Sequence, residues 1–432
     1  MSQYENIWAD LGVDLKKHDR LLRGLSVLVR RLHRKQKHRP KAMDYFDDIL
    51  NDPHGHRVKE MAEHREQGGI VVGSYCVFIP EDLVLAVGGL HVGLCAGTNF
   101  AEEDADMYLP RNTCPLIKAS FGFKVSYSCP YTQVSSVIVG ETTCDGKKKM
   151  FEELANHHPT YLIEVPQKKN KRTREFFTEE LLEFKRYLEK LSGNEVTAER
   201  LRQGIDQVES KFRALQRLFR CRQADPSPIS GLDALTIVQL GMQDEVNRFA
   251  KQVNRLCDEL EERISQGIGV TAKGAPRILI AGSPMSLPNW RLHNLIEKAG
   301  AIVVCEESCI GTRLFSKLCE PKGSTVRHLV EALAGRHLGI NCACFTPNDE
   351  RVEDVVRLAK EYKADAVIHY ALQFCHPYNS EAGKVKKALD AEGIPMLEVQ
   401  TDYGDSDNQL SMRVEALINM VVDNKKGGVL NE

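Results

Sequence analysis

The stretch DAVIHYALQFCHPYNSEAGKVKKALDAEGIPMLEVQ, residues 365–400, decides the fold. It starts with the apolar run DAVIHYAL and passes through a loop that holds Cys375. The helical pattern SEAGKVKKALDAEG and a second apolar run, MLEVQ, follow. Short apolar runs that alternate with helical segments are typical of a parallel sheet covered by helices. The stretch therefore predicts a strand, a loop, a helix and a second parallel strand.

The first half of the chain repeats this order. SVIVGE (136–141) is followed by Cys144, the helical stretch KKMFEELANHH and TYLIEV (160–165). Four more strands are predicted, two in each half: IVVGSY (70–75), LHVGLC (90–95), RILIAG (277–282) and AIVVCE (301–306). We expect an α/β protein with two Rossmann-like (flavodoxin-like) parallel-sheet domains related by a pseudo-repeat. Cys144 and Cys375 then occupy corresponding positions.

Two segments without strand signals complete the predicted organisation. Residues 1–66 are predicted to be a helical N-terminal segment, and residues 167–275 a helical insert or spacer. The first α/β domain is predicted at 67–166 and the second at 276–432. A basic run from Arg30 to Lys41 is interpreted as a solvated helix end, with a docking patch for an acidic partner as the alternative.

Composition excludes several functional classes. The 432 residues carry a formal net charge of −2, which gives no electrostatic case for nucleic acid or an anionic membrane. The N-terminus does not resemble a secretory signal, and no apolar run approaches the roughly 18 residues of a membrane span. We expect a cytoplasmic protein.

In a reducing compartment its 13 cysteines point to metal, redox chemistry or packing rather than disulfides.

The cysteine spacings narrow the kind of metal site. No C-x-x-C occurs, which disfavours zinc ribbons, thioredoxin-like motifs and bacterial ferredoxin runs. Cys114 and Cys129 each precede a proline, a residue favoured at the first position of a helix. The unpaired N–H groups of a helix start would stabilise an anionic iron–sulfur cluster.

Six cysteines at element ends are the candidate ligands, three from each half: Cys114, Cys129, Cys144, Cys309, Cys342 and Cys375. Each of them has ordinary core packing as its alternative. Cys95 is a reserve ligand. The remaining cysteines are interpreted as packing residues: Cys76, Cys221, Cys257, Cys305, Cys319 and Cys344.

Three motifs, LPRNTCPLIKASFG, ETTCDGKKKM and LQFCHPYNSE, resemble those of the iron–sulfur subunits of the 2-hydroxyacyl-CoA dehydratase and benzoyl-CoA reductase family. The resemblance covers most of residues 66–432. It implies that three cysteines hold the family's single cubane, namely Cys114, Cys144 and Cys375. Further motifs resemble the branch with a double-cubane (8Fe-9S) cluster, in which two four-iron cubanes share a sulfide. They are SCPYTQ, ESCIG and NCACFTPN, and they contain Cys129, Cys309 and Cys342.

The resemblance also implies partners and an activity. Family members receive single electrons from a separate ATP-hydrolysing activator, a homodimer that carries a 4Fe-4S cluster. They are themselves dimers, so a homodimer is expected here. The dehydratases act on acyl-CoA thioesters, whereas the double-cubane branch reduces small substrates. No P-loop and no G-x-G-x-x-G after a strand occurs in the sequence, so this chain is not expected to bind a nucleotide itself.

Three functions stay open. The first is an ATP-dependent iron–sulfur reductase with a double cubane, the second a single-cubane (R)-2-hydroxyacyl-CoA dehydratase subunit, and the third a non-catalytic electron carrier. Pseudo-symmetry pairs Cys114, Cys144 and Cys375 on one cubane and Cys129, Cys309 and Cys342 on the other. The candidate proton donors are His376, Glu141 and Glu306, which could instead only orient loops.

Overall fold

The computed structural model of the chain describes residues 3–404 and 407–429. Within these ranges the strands are β1 (Val71–Ser74), β2 (Leu90–Gly93), β3 (Val137–Glu141), β4 (Thr160–Ile163), β5 (Arg277–Gly282), β6 (Ile302–Glu307), β7 (Ala366–Leu372) and β8 (Met396–Thr401). All eight strands predicted from apolar runs are confirmed.

The helices of the described ranges fall into three runs. The first run is α1 (Glu5–Asp10), α2 (Leu15–Leu32), α3 (Asp44–Asn51), α4 (His56–Glu66), α5 (Glu81–Ala86), α6 (Glu102–Ala105), α7 (Pro115–Val125), α8 (Pro130–Val134) and α9 (Asp145–Leu154), with a 3₁₀ turn at Lys41–Met43. The second is α10 (Lys171–Ser192), α11 (Ala198–Cys221), α12 (Gly231–Leu240) and α13 (Val246–Ser265). The third is α14 (Arg291–Lys298), α15 (Thr312–Phe315), α16 (Val326–Leu338), α17 (Asp349–Glu361), α18 (His376–Ala391) and α19 (Asp407–Val429).

The strands form two parallel sheets with the same topology. Their orders are β2-β1-β3-β4 and β6-β5-β7-β8. Pairing is parallel throughout, for example Ile138 with Thr160 and Val367 with Met396. The predicted pair of Rossmann-like α/β domains is therefore confirmed. In each sheet the strand order reverses beside the first strand, and open α/β sheets bind ligands at the carboxyl ends of strands at such a point.

Burial explains why the strands appear as continuous apolar runs. Every residue of β1, β3, β5, β6 and β7 is buried, because helices cover both faces of a parallel sheet. The edge strands β4 and β8 are partly exposed. The sheets are thus rigid supports, and the loops at their carboxyl ends are free to carry functional side chains.

The helices between the two sheets tie the halves together. Helix α10 begins with a capping box of Asn170 and Thr173 and ends at Gly193, which is left-handed at φ 72°. Helix α12 is buried along its whole length and lies against β6. Leu215 of α11 shares a hydrophobic core with the second sheet, and Leu201 one with the first. The division at residues 66, 167 and 275 stays a prediction.

The N-terminal helices pack on both halves. Trp8, Val58 and Met61 join the core around β3, whereas Leu25 and Phe46 join the core around the second sheet. None of the helices within residues 3–404 and 407–429 combines the length and the apolar character that crossing a membrane requires.

Candidate metal centre

A cavity of about 650 Å³ lies where the carboxyl ends of the two sheets meet. Its walls come from the loops that follow β1, β2, β3, β6 and β7 and from the starts of α7 and α18. Eight cysteines line it: Cys76, Cys95, Cys114, Cys144, Cys309, Cys342, Cys344 and Cys375. Residues from both halves of the chain thus face one space.

Three of these cysteines, Cys114, Cys144 and Cys375, form the first cysteine group. Each is the residue immediately before a helix, α7, α9 and α18 respectively, as the prolines and turn residues predicted. The Cys114 sulfur accepts hydrogen bonds from Cys375 and from the backbone N–H groups of Leu116 and Ile117. The bond from Cys375 lowers the pKa of Cys114 and raises that of Cys375. The thiolate is thus favoured at Cys114.

The second cysteine group consists of Cys76, Cys309, Cys342 and Cys344. Cys342 accepts hydrogen bonds from Cys309 and Cys344, which hold its pKa well below the usual range of a thiol. The hydroxyl oxygen of Tyr378 lies 3.5 Å from the Cys342 sulfur. Burial raises the pKa of Cys76, which also contacts Glu141. The thiols of this group therefore interact with one another, with Cys342 in contact with both Cys309 and Cys344.

The structure does not bring Cys129 to the other predicted ligands. The residue precedes α8, as predicted, but its side chain packs near Ala119 and Phe123, and it is not part of the cavity wall. Burial raises the pKa of its thiol to about 11. Cys129 therefore occupies a core position.

Cys76 lines the cavity, whereas Cys129, the residue predicted as a ligand, does not. Cys76 lies two residues after β1, the strand beside which the order of the first sheet reverses. Its position at a strand end was a usable signal, yet the residue was interpreted as packing. Cys344 was also interpreted as packing, but it lines the cavity.

The other cysteines behave as predicted or nearly so. Cys221, Cys257 and Cys305 are buried in the hydrophobic core. Cys319 is half-buried outside the cavity. Cys95, the reserve ligand, lines the cavity, but its sulfur donates a hydrogen bond to the Tyr75 carbonyl oxygen at 2.9 Å.

The three predicted proton donors lie in different positions relative to the cavity. His376 is exposed on the cavity wall. Glu141 is buried behind the wall, where it binds Lys147 and accepts a hydrogen bond from Thr143 at 3.0 Å. Glu306 is remote from the cavity wall and belongs to a buried ion-pair network.

Glu306 is held by two basic side chains. Arg222 contacts its carboxylate at 2.6 Å and 2.8 Å, and the His293 ring nitrogen lies 2.9 Å away. Burial alone disfavours the charged form, but Arg222 and His293 outweigh it and hold the pKa of Glu306 at about 2. These contacts favour the ionised carboxyl group and a structural role, and the role of Glu306 as a proton donor stays a prediction.

The donor set has the chemistry that an iron–sulfur cluster requires. Within the part of the chain that the structure describes, no group of three or more His, Cys, Asp or Glu side chains could hold one metal ion. The thiols instead surround a cavity, with helix N–H groups and buried cations behind them. Thiolates stabilised by hydrogen bonds are the donors that iron–sulfur clusters use.

Comparisons with known proteins agree with this geometry. Residues 76–421 match the family described as 2-hydroxyglutaryl-CoA dehydratase, D-component. The chain is 35% identical over 364 residues to YjiM of Escherichia coli (strain K12), a candidate dehydratase subunit, covering 83% of this chain and 93% of that protein. It is 25% identical over 370 residues to the (R)-phenyllactyl-CoA dehydratase beta subunit of Clostridium sporogenes, covering 84% and 93%.

A reductase component is also similar to the chain. One of the benzoyl-CoA reductase subunits of Thauera aromatica is 21% identical over 351 residues, which cover 79% of this chain and 87% of that protein. The match to the family begins just after β1 and spans the strands from β2 to β8 and every cysteine that lines the cavity. The chain therefore belongs to the 2-hydroxyglutaryl-CoA dehydratase, D-component family, whose relatives named here are subunits of dehydratases and of a reductase.

Proposed function

We propose that the chain is an iron–sulfur reductase that takes low-potential electrons from an ATP-hydrolysing activator and delivers them to a small substrate at a double-cubane (8Fe-9S) cluster. The observation that carries this proposal is the pair of cysteine groups, contributed by both halves of the chain, around one cavity. A single cubane needs only one such group.

The ligands are assigned from the cavity wall. Cys114, Cys144 and Cys375 hold one cubane, as the resemblance implies. Cys76 joins Cys309 and Cys342 at the other and takes the place that Cys129 had in the prediction. Cys344 then remains as a hydrogen-bond donor to Cys342. When bound, the cluster supplies electrons one at a time at low potential.

The protein supplies charge and protons to the cavity. Helix N–H groups at Leu116 and Ile117 stabilise negative charge on Cys114. Lys147, buried beside Glu141, adds a cation to the wall. His376 stands exposed on the wall, where its imidazole can hold and release a proton to a bound substrate.

Partners are proposed from the relatives and the resemblance. The relatives are named as subunits, which supports assembly with other proteins. We assign the electron supply to a separate activator homodimer with its own 4Fe-4S cluster, and we expect this chain to be a homodimer in the cytoplasm. The sequence has no phosphate-binding loop, which agrees with a nucleotide site on the partner.

A second function is favoured by the names of the relatives. Phenyllactyl-CoA, hydroxyglutaryl-CoA and lactoyl-CoA dehydratase subunits all match the chain. The first cysteine group alone could hold the single cubane of an (R)-2-hydroxyacyl-CoA dehydratase subunit. The second group would then have no ligand role, which is the point that separates the two functions. A pure electron carrier fits less well, because it does not need a cavity of about 650 Å³ beside the thiols.

The decisive experiment is the measurement of iron and acid-labile sulfide per chain after strictly anaerobic purification. About eight irons with slightly more sulfide are expected for the double cubane. About four irons would favour the dehydratase function, and zinc or no metal would overturn both.

Serine variants test whether each of the two cysteine groups holds half of the iron. Cys144→Ser and Cys309→Ser should each keep about half of the iron, because each removes a ligand of one cubane. Cys319→Ser is the matched control, since Cys319 is half-buried but lies outside the cavity wall. It should keep all of the iron.

A further inference from the structure

Arg313 on α15 is the buried cation of the second cysteine group. Its side chain is 4% exposed, and its Nη1 lies 3.8 Å from the Cys309 sulfur. The same nitrogen donates to the Tyr378 hydroxyl, whose oxygen lies 3.5 Å from the Cys342 sulfur. The guanidinium is thus connected to two sulfurs of the group, to one directly and to the other through a phenol.

The backbone around Arg313 is built to hold it. Nη2 donates to the carbonyl oxygens of Gly282 and of Glu307, the latter at 3.0 Å. Gly282 has φ +129°, and a Cβ there would lie 2.1 Å from the Tyr370 carbonyl oxygen. Only glycine fits this bend, which ends β5 beside the guanidinium. The side chain is therefore fixed in place.

Arg313 does not have a carboxylate to itself. Its Nε lies 2.8 Å from Glu307 Oε1, but Arg351 Nη2 binds the other oxygen of Glu307 at 3.0 Å. Arg351 reaches a second carboxylate, Glu381, at 2.7 Å, on a side chain that is 15% exposed and partly screened by water. The two guanidinium groups and the two carboxylates balance in number, but within the described residues Arg313 pairs with the shared Glu307 alone, so a partial positive surplus remains at its guanidinium beside the second group.

The first cysteine group has no comparable surplus. Cys114 and Cys375 receive backbone N–H groups, which are dipoles rather than full charges. The cation beside Cys144 is Lys147, and within the described residues its partner Glu141 forms an ion pair with Lys147 alone. The two charges therefore largely cancel.

We propose that Arg313 is the fixed counter-charge of the second cysteine group and that it would make the cubane held by this group the first to accept an electron. A buried positive charge favours the more negative state of a nearby cluster, and arginine does not lose its proton in proteins. The first group, which lies beside the exposed His376, is then the lower-potential side that faces the substrate. Each step adds one electron from the reductant, and no bond forms or breaks. This inference rests on the proposed function.

The test is a redox titration of the cluster-loaded protein followed by electron paramagnetic resonance, with a chemical reductant in place of the activator. Arg313→Gln should lower the higher of the two reduction potentials and leave the lower one in place. Arg313→Lys keeps the charge and should shift the higher potential less. Arg336→Gln is the control, because Arg336 is equally buried but pairs with Asp82 away from the cavity wall. It should shift neither potential.

Variants that keep one cysteine group show which group belongs to which reduction potential. Cys144→Ser retains the second group, and Cys309→Ser retains the first. The reduction potential measured for Cys144→Ser should therefore be higher than that measured for Cys309→Ser. Adding Arg313→Lys should lower the step of Cys144→Ser and leave that of Cys309→Ser unchanged. These single-group variants test the role of Arg313 if Arg313→Gln does not fold.

The failures of the two proposals are distinguishable. Wild-type protein without an iron–sulfur cluster would overturn the proposed function and this inference with it. A wild-type protein with about eight irons, whose higher potential is the same in Arg313→Gln, would overturn only the role of Arg313. The reverse order of potentials in the single-group variants would do the same.

Discussion

The thiols of Cys375 and Cys114 are hydrogen-bond partners, although the two residues belong to different halves of the chain. Cys375 follows β7 of the second sheet, and Cys114 precedes α7 in the first α/β region. Their contact shows that the carboxyl ends of the two sheets face each other. The wall of the cavity between the sheets is therefore built from both halves of the chain.

The ligand set of the second group can be tested with two serine variants. Cys76→Ser should lose about four of eight irons, because Cys76 lies on the cavity wall with Cys309 and Cys342. Cys129→Ser should keep all of them, since its thiol packs against the core near Phe123. Iron analysis of anaerobically purified protein measures both. If Cys129→Ser lost half of the iron and Cys76→Ser none, the ligand set predicted from the sequence would be restored.

Glu306 should prove structural. Glu306→Gln leaves Arg222 buried without a counter-charge and should lower the free energy of unfolding by roughly 3–5 kcal/mol. Urea unfolding followed by circular dichroism measures this, with the exposed Glu103→Gln as the control. Iron per folded chain should not change. A stable variant with normal iron and slow proton delivery would contradict this role.

The same carboxyl group gives a pH dependence with a definite sign. The pKa of Glu306 is about 2 in the folded chain, below its value of about 4.3 in the unfolded chain. Its contribution is therefore complete above pH 4.3 and is lost as the pH falls towards 2. Unfolding measured over this acid range should show a smaller slope in Glu306→Gln. An unchanged slope would mean that other carboxyl groups dominate.

A buried pair of histidines makes stability depend on pH between 6.5 and 4. His18 and His54 lie ring to ring, with Nε2 and Nδ1 2.9 Å apart. Burial lowers the pKa of His18 from 6.5 to about 4 and that of His54 to about 3, so both are neutral in the folded chain. Below pH 6.5 the unfolded chain binds more protons than the folded chain. The free energy of unfolding therefore decreases as the pH is lowered.

The size of this effect follows from the pKa of His18. The gap between 6.5 and about 4 corresponds to about 3 kcal/mol lost once the pH reaches 4. Trp8, whose ring meets His18 edge-on at 4.3 Å, provides a fluorescence signal for unfolding. His18→Gln should remove the share of His18 and make the profile between pH 6.5 and 4 shallower, while His54 keeps its own contribution. Equal slopes in the variant and the wild type would contradict the prediction.

His376 should affect proton delivery and not cluster binding. His376→Gln should keep about eight irons but slow hydrogen evolution, the default reaction of a strongly reducing centre, by roughly 100-fold. Glu141→Gln is the comparison, because Glu141 is buried behind the wall and not on it. Gas analysis at a fixed supply of electrons measures the rate of hydrogen evolution in both variants. An unchanged rate in His376→Gln would remove this histidine from the proposed proton path.

The architecture could be predicted because its signals are local or periodic. Buried parallel strands are continuous apolar runs, and the order strand, cysteine, helix, strand recurs around Cys144 and Cys375. The prolines after Cys114 and Cys129 correctly marked helix starts, since proline fits the first turn of a helix.

The composition of the site was less predictable. Cys129 and Cys114 have the same local sequence signal, yet only Cys114 faces the cavity. Glu306 is the second-last residue of β6 and lies near a candidate ligand in sequence, but its side chain turns to Arg222 and His293. Both outcomes depend on which face of a strand or helix meets a distant segment, and a local pattern does not contain that information.

The sequence by itself determined the two α/β units, the helical segments and the placement of cysteines at helix starts, because neighbouring residues decide these features. Only the tertiary structure decided that Cys76 joins Cys309 and Cys342, and that Arg313 shares Glu307 with Arg351. These relationships arise when two sheets far apart in the chain turn their carboxyl ends towards each other. The contacts across that junction are set by packing between the sheets.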